Sequence, residues 1–200
     1  MKMSPSAKLL LLLAAALAMV AAPGIQTTAR AVAAAAPAAT AAAPQKADAP
    51  QHASLDPLSF LIGDWEAAGQ GQPGQGTGHS VFHQDLQRRV MIRNSFAEYP
   101  AAADRPASRH DDLMVIYADG AALKAHYYDS EGHVIRYAIA TPSTGAAVFT
   151  SDPMTGAPRY RLSYALKGDV LEGTFEIAPP GKPDAFQRYL SWQSHKAAKS

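Results

Sequence analysis

From Trp65 onward, apolar and polar residues follow a period of two, and no later stretch keeps the spacing of a helix. In 122–128, Lys124, His126 and Tyr128 alternate with Leu123, Ala125 and Tyr127. In 89–98, Arg89, Met91, Arg93 and Ser95 alternate with Val90, Ile92 and Phe96. Successive side chains of a strand point to opposite faces, so this pattern reads as strands. It predicts ten of them, at 65–71, 78–86, 89–98, 111–117, 122–128, 133–140, 146–150, 158–165, 170–177 and 187–193. The turn residues agree. Asp119-Gly120, Asp129-Ser-Glu-Gly132 and Lys167-Gly168-Asp169 each sit between two such runs, as hairpin connections do. Longer connections rich in Pro, Gly or Ala fall at Pro100–Arg109, Ser151–Pro158 and Pro179–Asp184. The first is long for a compact domain and reads as a mobile rim loop.

Ten consecutive antiparallel strands leave two unpaired edges unless the sheet closes. Closure gives an up-and-down barrel, and eight to ten strands leave room for one small ligand. The expected fold is therefore all-β, an antiparallel up-and-down β-barrel of about ten strands. A flat sheet or a two-sheet sandwich is the competing arrangement. One or two helical turns precede the barrel at Asp56-Pro57-Leu-Ser-Phe-Leu-Ile62. Asp56 suits the N-cap and Pro57 the first helical position, and Gly63 ends the turn.

The N-terminal part has a different character. Residues 1–22 combine Lys2 and Lys8 with an apolar run from Leu9 to Ala22. The run is short for a bilayer span and small residues follow it, as in a cleaved signal peptide; a membrane anchor is the alternative. No cysteine follows, which excludes a lipoprotein anchor. Residues 23–53 are mostly Ala, Pro, Thr and Gln and read as a disordered linker without enough apolar surface to fold. The barrel domain is expected at 54–194, with 195–200 as a disordered tail. The expected location is periplasmic or secreted.

Charge changes the picture of the partner. The whole chain is +1, but residues 54–194 hold twelve Lys and Arg against sixteen Asp and Glu, a net charge near −4. An acidic domain is a poor match for nucleic acid, where phosphate neutralisation carries binding. The absence of cysteine excludes disulfides and thiolate zinc sites.

Candidate chemistry is sparse. Gly69-x-Gly71-x-x-Gly74 has the letters of a dinucleotide loop, but Pro73 interrupts it and a strand pattern follows, where a helix is required. It reads as a flexible hairpin or omega-like connection. His79 and His83 share a strand face about 13 Å apart, too far for one metal ion. In His110-Asp111-Asp112, His110 and Asp112 share a face, and a metal would need a further ligand from elsewhere. Gly78-His-Ser80-Val-Phe82 lacks the second glycine and the strand-to-helix turn of a nucleophile elbow. No catalytic or metal residue is assigned. Arg93, Glu98, His126, Tyr128, Arg136, Tyr137 and Arg161 put more polar groups inside strands than a dry core wants. A buried arginine is costly unless paired. Arg93, His126, Tyr128, Arg136 and Arg161 are therefore the candidate ligand-binding residues. Gly63 and Trp65 are structural candidates, with Trp65 as a core plug whose N–H needs a partner.

The segment Leu55-x-x-Leu58-x-x-Leu61-x-Gly63-x-Trp65-Glu66-x-x-Gly69-x-Gly71-x-Pro73 resembles the opening of nitrobindin-type haem-binding barrels. It is also similar to uncharacterised bacterial secreted barrels of the calycin type, as is His110–Tyr117 together with Tyr128–Tyr137. The nitrobindin resemblance implies a ten-stranded barrel with a cavity and a histidine near the C-terminus bound to haem iron. The matching region, Pro180–Trp192, has no histidine, and His195 follows in the expected tail. No haem and no other cofactor is expected. Gly63-Asp64-Trp65 also resembles the lipocalin signature, in which the tryptophan sits beneath a late arginine; Arg188 is the nearest candidate.

These readings converge on an exported barrel holding a small amphipathic or anionic ligand in its lumen. It is expected to be a monomer or weak dimer, with no nucleic-acid partner and no stable membrane span. The alternatives are an enzyme of unknown reaction using a polar lumen, with His126, Tyr128 and Arg136, and a barrel filled by its own side chains that acts through its rim.

Overall fold

The computed structural model of the chain describes residues 53–67, 76–102 and 106–198. The expected signal peptide, linker and glycine-rich loop lie outside the described residues, apart from the last linker residue, Ala53, and the glycine at 76. The strands are β1 (Gly63–Ala67), β2 (Thr77–Asp85), β3 (Val90–Tyr99), β4 (Ser108–Asp119) and β5 (Ala122–Asp129). They continue as β6 (Val134–Ala140), β7 (Ala146–Ser151), β8 (Arg159–Lys167), β9 (Val170–Ala178) and β10 (Gln187–Lys196). Each pairs antiparallel with its sequence neighbours, and β1 pairs with β10 to close the barrel. The expected up-and-down architecture is therefore the observed one.

Two boundaries differ for a physical reason. β4 begins at Ser108, not at 111, because its polar start is paired. On its outer face Arg109 donates to Glu98 at 2.6 Å and to Asp111 at 2.9–3.0 Å. β10 runs to Lys196, past the expected boundary at 194. The closing strand must reach β1, and Ser194, His195 and Lys196 pair with Ala67, Glu66 and Trp65.

A 3₁₀ helix, Asp56–Leu61, covers the end of the barrel where β1 begins. Its N-cap is Leu55, not Asp56; the Asp56 N–H is instead taken by the Ser54 hydroxyl at 3.1 Å. Leu58 and Leu61 are fully buried beneath it, in one core cluster with Trp65, Met91 and Ile116. The Trp65 indole N–H donates to the Leu61 carbonyl at 2.7 Å, giving this buried plug its partner. Ala53 N–H donates to the Gly120 carbonyl at 2.7 Å, fastening the chain across the β4–β5 turn. The opposite end, the mouth, carries the longer connections 152–158 and 179–186 and the described ends of the β3–β4 connection.

Gly63 has φ +128°, and a Cβ there would meet Lys196. The Lys196 ammonium lies 3.9 Å from the centre of the Trp65 ring and donates to the Ile62 carbonyl. The late cation over the tryptophan is thus Lys196. Arg188 is exposed at the mouth end of β10, opposite Glu176.

Among the described residues, no helix is long and apolar enough to cross a membrane.

Candidate functional site

Strand alternation sorts the interior by residue. On β4 the inward positions run Ile116, Met114, Asp112 and His110 from plug to mouth; on β3 they begin with Met91 and Arg93. On these two strands the plug half of the interior is thus apolar and the mouth half polar.

Arg93 anchors the mouth half. Its side chain is 6% exposed, and that of Asp112 is 8% exposed. The guanidinium donates through Nε to Asp112 Oδ1 at 3.1 Å, through Nη2 to the same oxygen, and through Nη1 to the Tyr164 hydroxyl. The Tyr127 ring lies 5.9 Å from its Cζ. Burial pulls the Arg93 pKa down, but Asp112, Tyr164 and Tyr127 outweigh it and hold the value above that of a free arginine. A lone buried charge costs several kcal/mol, on the order of the whole stability margin of a domain; Asp112 makes the burial tolerable.

Four tyrosines line the interior on this side. Burial raises the phenol pKa of Tyr127, Tyr137, Tyr160 and Tyr164 above the ordinary value. They are neutral hydrogen-bonding groups at any physiological pH. The rings form an edge-to-face chain across the interior. Tyr127 meets Tyr137 at 6.5 Å, Tyr137 meets Phe149 at 6.2 Å, and Phe149 meets Tyr164 at 6.0 Å. Tyr160 stacks on Phe175 at 5.8 Å. The Tyr137 and Tyr160 hydroxyls make no side-chain hydrogen bond among the described residues, and no fully enclosed polar side-chain atom lacks a partner. Neither hydroxyl is therefore fully enclosed.

At the rim, His110 carries the polar surface outward. Its Nε2 lies 2.9 Å from the Tyr127 hydroxyl and 3.8 Å from Asp112, while its Nδ1 lies 2.7 Å from Glu131. His110 and Asp112 share the inner face, and Asp111 turns outward to Arg109.

The same alternation divides the five candidate ligand residues. Arg93 points inward. His126 and Tyr128 flank the inward Tyr127, Arg136 lies between the inward Ile135 and Tyr137, and Arg161 between the inward Tyr160 and Leu162, so all four face outward. His126 and Arg136 border a surface groove of about 240 Å³ with Tyr117, Lys124 and Asp152. Arg161 pairs with Glu176 at 2.7 and 2.8 Å, and this partner holds the Glu176 carboxyl below its ordinary range. His195 lies in β10, outward and exposed. Sequence reasoning missed Asp112 as the partner of Arg93, and missed Tyr127, Tyr160 and Tyr164. The available signal was the inward phase: Tyr127 shares it with Leu123 and Ala125, and Tyr160 and Tyr164 share it with Leu162.

No protein-family model matches the chain, and no curated protein matches it.

Proposed function

We propose that this protein is an exported barrel that holds a small amphipathic molecule in the mouth half of its interior. The observation that carries the reading is the Arg93–Asp112 pair, buried beside Tyr127 and Tyr164 in a closed barrel whose other half is apolar. Such a pair is seldom retained for stability, since well-packed apolar residues of similar volume serve as well or better. A lining of aromatic faces with a few polar groups is the usual make-up of a small-molecule site. The apolar body of the ligand lies against the Tyr160–Phe175 stack and the Tyr137 ring. Its polar head meets the Tyr137 and Tyr160 hydroxyls and the free N–H groups of Arg93. Asp112 already balances the Arg93 charge, and Asp129 and Glu131 stand at the rim, which favours an amphipathic head group over a strongly anionic one. The charged leader and short apolar run support export, and the Gly63–Trp65 opening supports kinship with calycin-type barrels.

The test is native mass spectrometry of the protein recovered from a periplasmic extract, with titration of an amphipathic fluorophore such as anilinonaphthalene sulfonate. The expected result is a retained mass of small-molecule size and saturable one-to-one dye binding. Tyr137→Phe weakens that binding by about fivefold, the loss of one hydrogen bond of about 1 kcal/mol. A clean apo mass with unsaturable dye binding overturns the reading and leaves a filled barrel that acts through its rim.

A further inference from the structure

The rim of the mouth holds a constellation that the ligand reading uses only for its negative charge. His110 comes from the start of β4, Asp129 from the end of β5 and Glu131 from the turn into β6. One nitrogen and two carboxylate oxygens of these three residues lie within 4.8 Å of one another. The sequence offered His110 and Asp112 without a further ligand; folding brings the turn against β4 and provides two.

The turn is built to hold them there. Asp129 Oδ1 accepts the backbone N–H groups of Glu131 at 3.1 Å and His133 at 2.8 Å. That folds residues 129–133 tightly and swings the Glu131 carboxylate back onto His110 Nδ1 at 2.7 Å. The Ser130 N–H donates to the Asp111 carbonyl at 2.9 Å, and the Asp111 N–H donates to the Ser130 hydroxyl at 3.2 Å, locking turn to strand. The supporting groups match those of a metal centre. A ligating histidine ordinarily has its second ring nitrogen bound to a polar group that fixes the ring. Here His110 Nε2 faces the Tyr127 hydroxyl at 2.9 Å, with Asp112 beyond it at 3.8 Å. The Asp129 carboxylate, 5% exposed, is steadied at 2.9 Å by His133.

We propose that His110, Asp129 and Glu131 form a binding site for a divalent first-row transition cation of the zinc class. An imidazole with two carboxylates suits such an ion, whereas calcium and magnesium take all-oxygen sets. Zinc sits about 2.0–2.2 Å from nitrogen and oxygen ligands, so adjacent ligand atoms must stand roughly 3.3 Å apart. The side chains reach that spacing by small rotations of His110 and Glu131, both partly exposed. Three protein ligands leave at least one position for water, as in open zinc sites. The site stands on its own geometry and does not depend on the ligand proposed for the interior.

The experiment uses the untagged full chain, stripped with chelator and titrated with cobalt(II), followed by zinc competition against a chromophoric chelator. The expected result is one equivalent of cobalt per chain with visible ligand-field bands, displaced by zinc. His110→Gln and Glu131→Gln each weaken binding by at least about tenfold, with unchanged metal-free circular dichroism. A His79→Gln/His83→Gln variant binds as the parent does. Glu131 is exposed, so Glu131→Gln remains informative should His110→Gln destabilise the strand. Weak binding at several sites, or equal affinity in Glu131→Gln and the parent, overturns the proposal and leaves a hydrogen-bonded turn.

Discussion

The two halves of this barrel solve the burial problem in opposite ways. The plug half hides Leu58, Leu61, Trp65, Met91 and Ile116, and its main polar atom, the Trp65 indole nitrogen, is answered by a carbonyl within the same turn. The mouth half holds an ion pair and four phenols, tied by one contact between neighbouring strands and another across the barrel. The first arrangement gains free energy from every buried carbon. The second spends part of that gain on desolvating polar groups. The contrast locates stability at one end and binding chemistry at the other, within one continuous sheet.

The largest expected effects test that division directly. Trp65→Ala should cost about 3–5 kcal/mol as a large cavity opens under the helix. Asp112→Ala should cost about the same, because it strands the Arg93 charge. The two losses differ in how they are repaired. Replacing both partners, as Arg93→Met with Asp112→Leu, should restore most of the stability or exceed it, while abolishing dye binding. Urea unfolding of the three variants reads this out. A double variant as unstable as Asp112→Ala would mean that the pair itself stabilises the barrel, and the division would fail.

Alkaline pH should act on the mouth half next. Burial is the largest cause of the raised pKa in Tyr127, Tyr137 and Tyr164. In the unfolded chain these phenols return to about 10. Folded values above unfolded ones mean that this stability is fully present below about pH 10 and drains away as pH rises beyond it. The slope is up to about 1.4 kcal/mol per pH unit for each phenol that remains protonated only when folded. Urea midpoints from pH 8 to 11, with tyrosinate absorbance, are the measurement. Early titration of all the phenols in a still-folded barrel would show that the mouth half is not desolvated.

A smaller loss is expected at Gly173, where the two halves meet. A Cβ there would fall 2.1 Å from the Trp192 ring, which Tyr164 backs at 6.1 Å. Gly173→Ala should therefore lower stability by about 1–3 kcal/mol, the cost of overpacking. Thermal melting measures it; no loss would mean that Trp192 has room to swing into the interior.

The strand phase was legible because each hairpin carries its own signal. Asp119-Gly120 and Lys167-Gly168-Asp169 announce turns, and alternation fixes the strands between them. The partners of a buried charge were not legible in the same way. Arg93 and Asp112 lie nineteen residues apart and Arg93 and Tyr164 seventy-one, and only closure of the barrel brings the last two together. Arg136 and Arg161 looked equivalent to Arg93 as single letters in strands. Their inward neighbours, Tyr137 and Leu162, decide the matter, and reading them requires knowing that tyrosine here counts as core. The left-handed run Leu86-Gln87-Arg88, with φ between +47° and +67°, also left no trace, since none of its residues favours that region.

The smallest expected effects separate inward from outward arginines. Arg136 is exposed on β6, and Arg136→Ala should change stability by no more than about 0.5 kcal/mol. Arg161 has a well-formed partner in Glu176 and lies 4.3 Å from the Phe186 ring. It remains on the outer face, where such pairs contribute about 0.2–1 kcal/mol; Arg161→Ala should lose no more than that. Both variants should bind the dye as the parent does, whereas Arg93→Met with Asp112→Leu should not. Loss of dye binding on removal of either outer arginine would place the ligand on the outer surface of β5–β8, and the mouth would then be only a polar repair within the core.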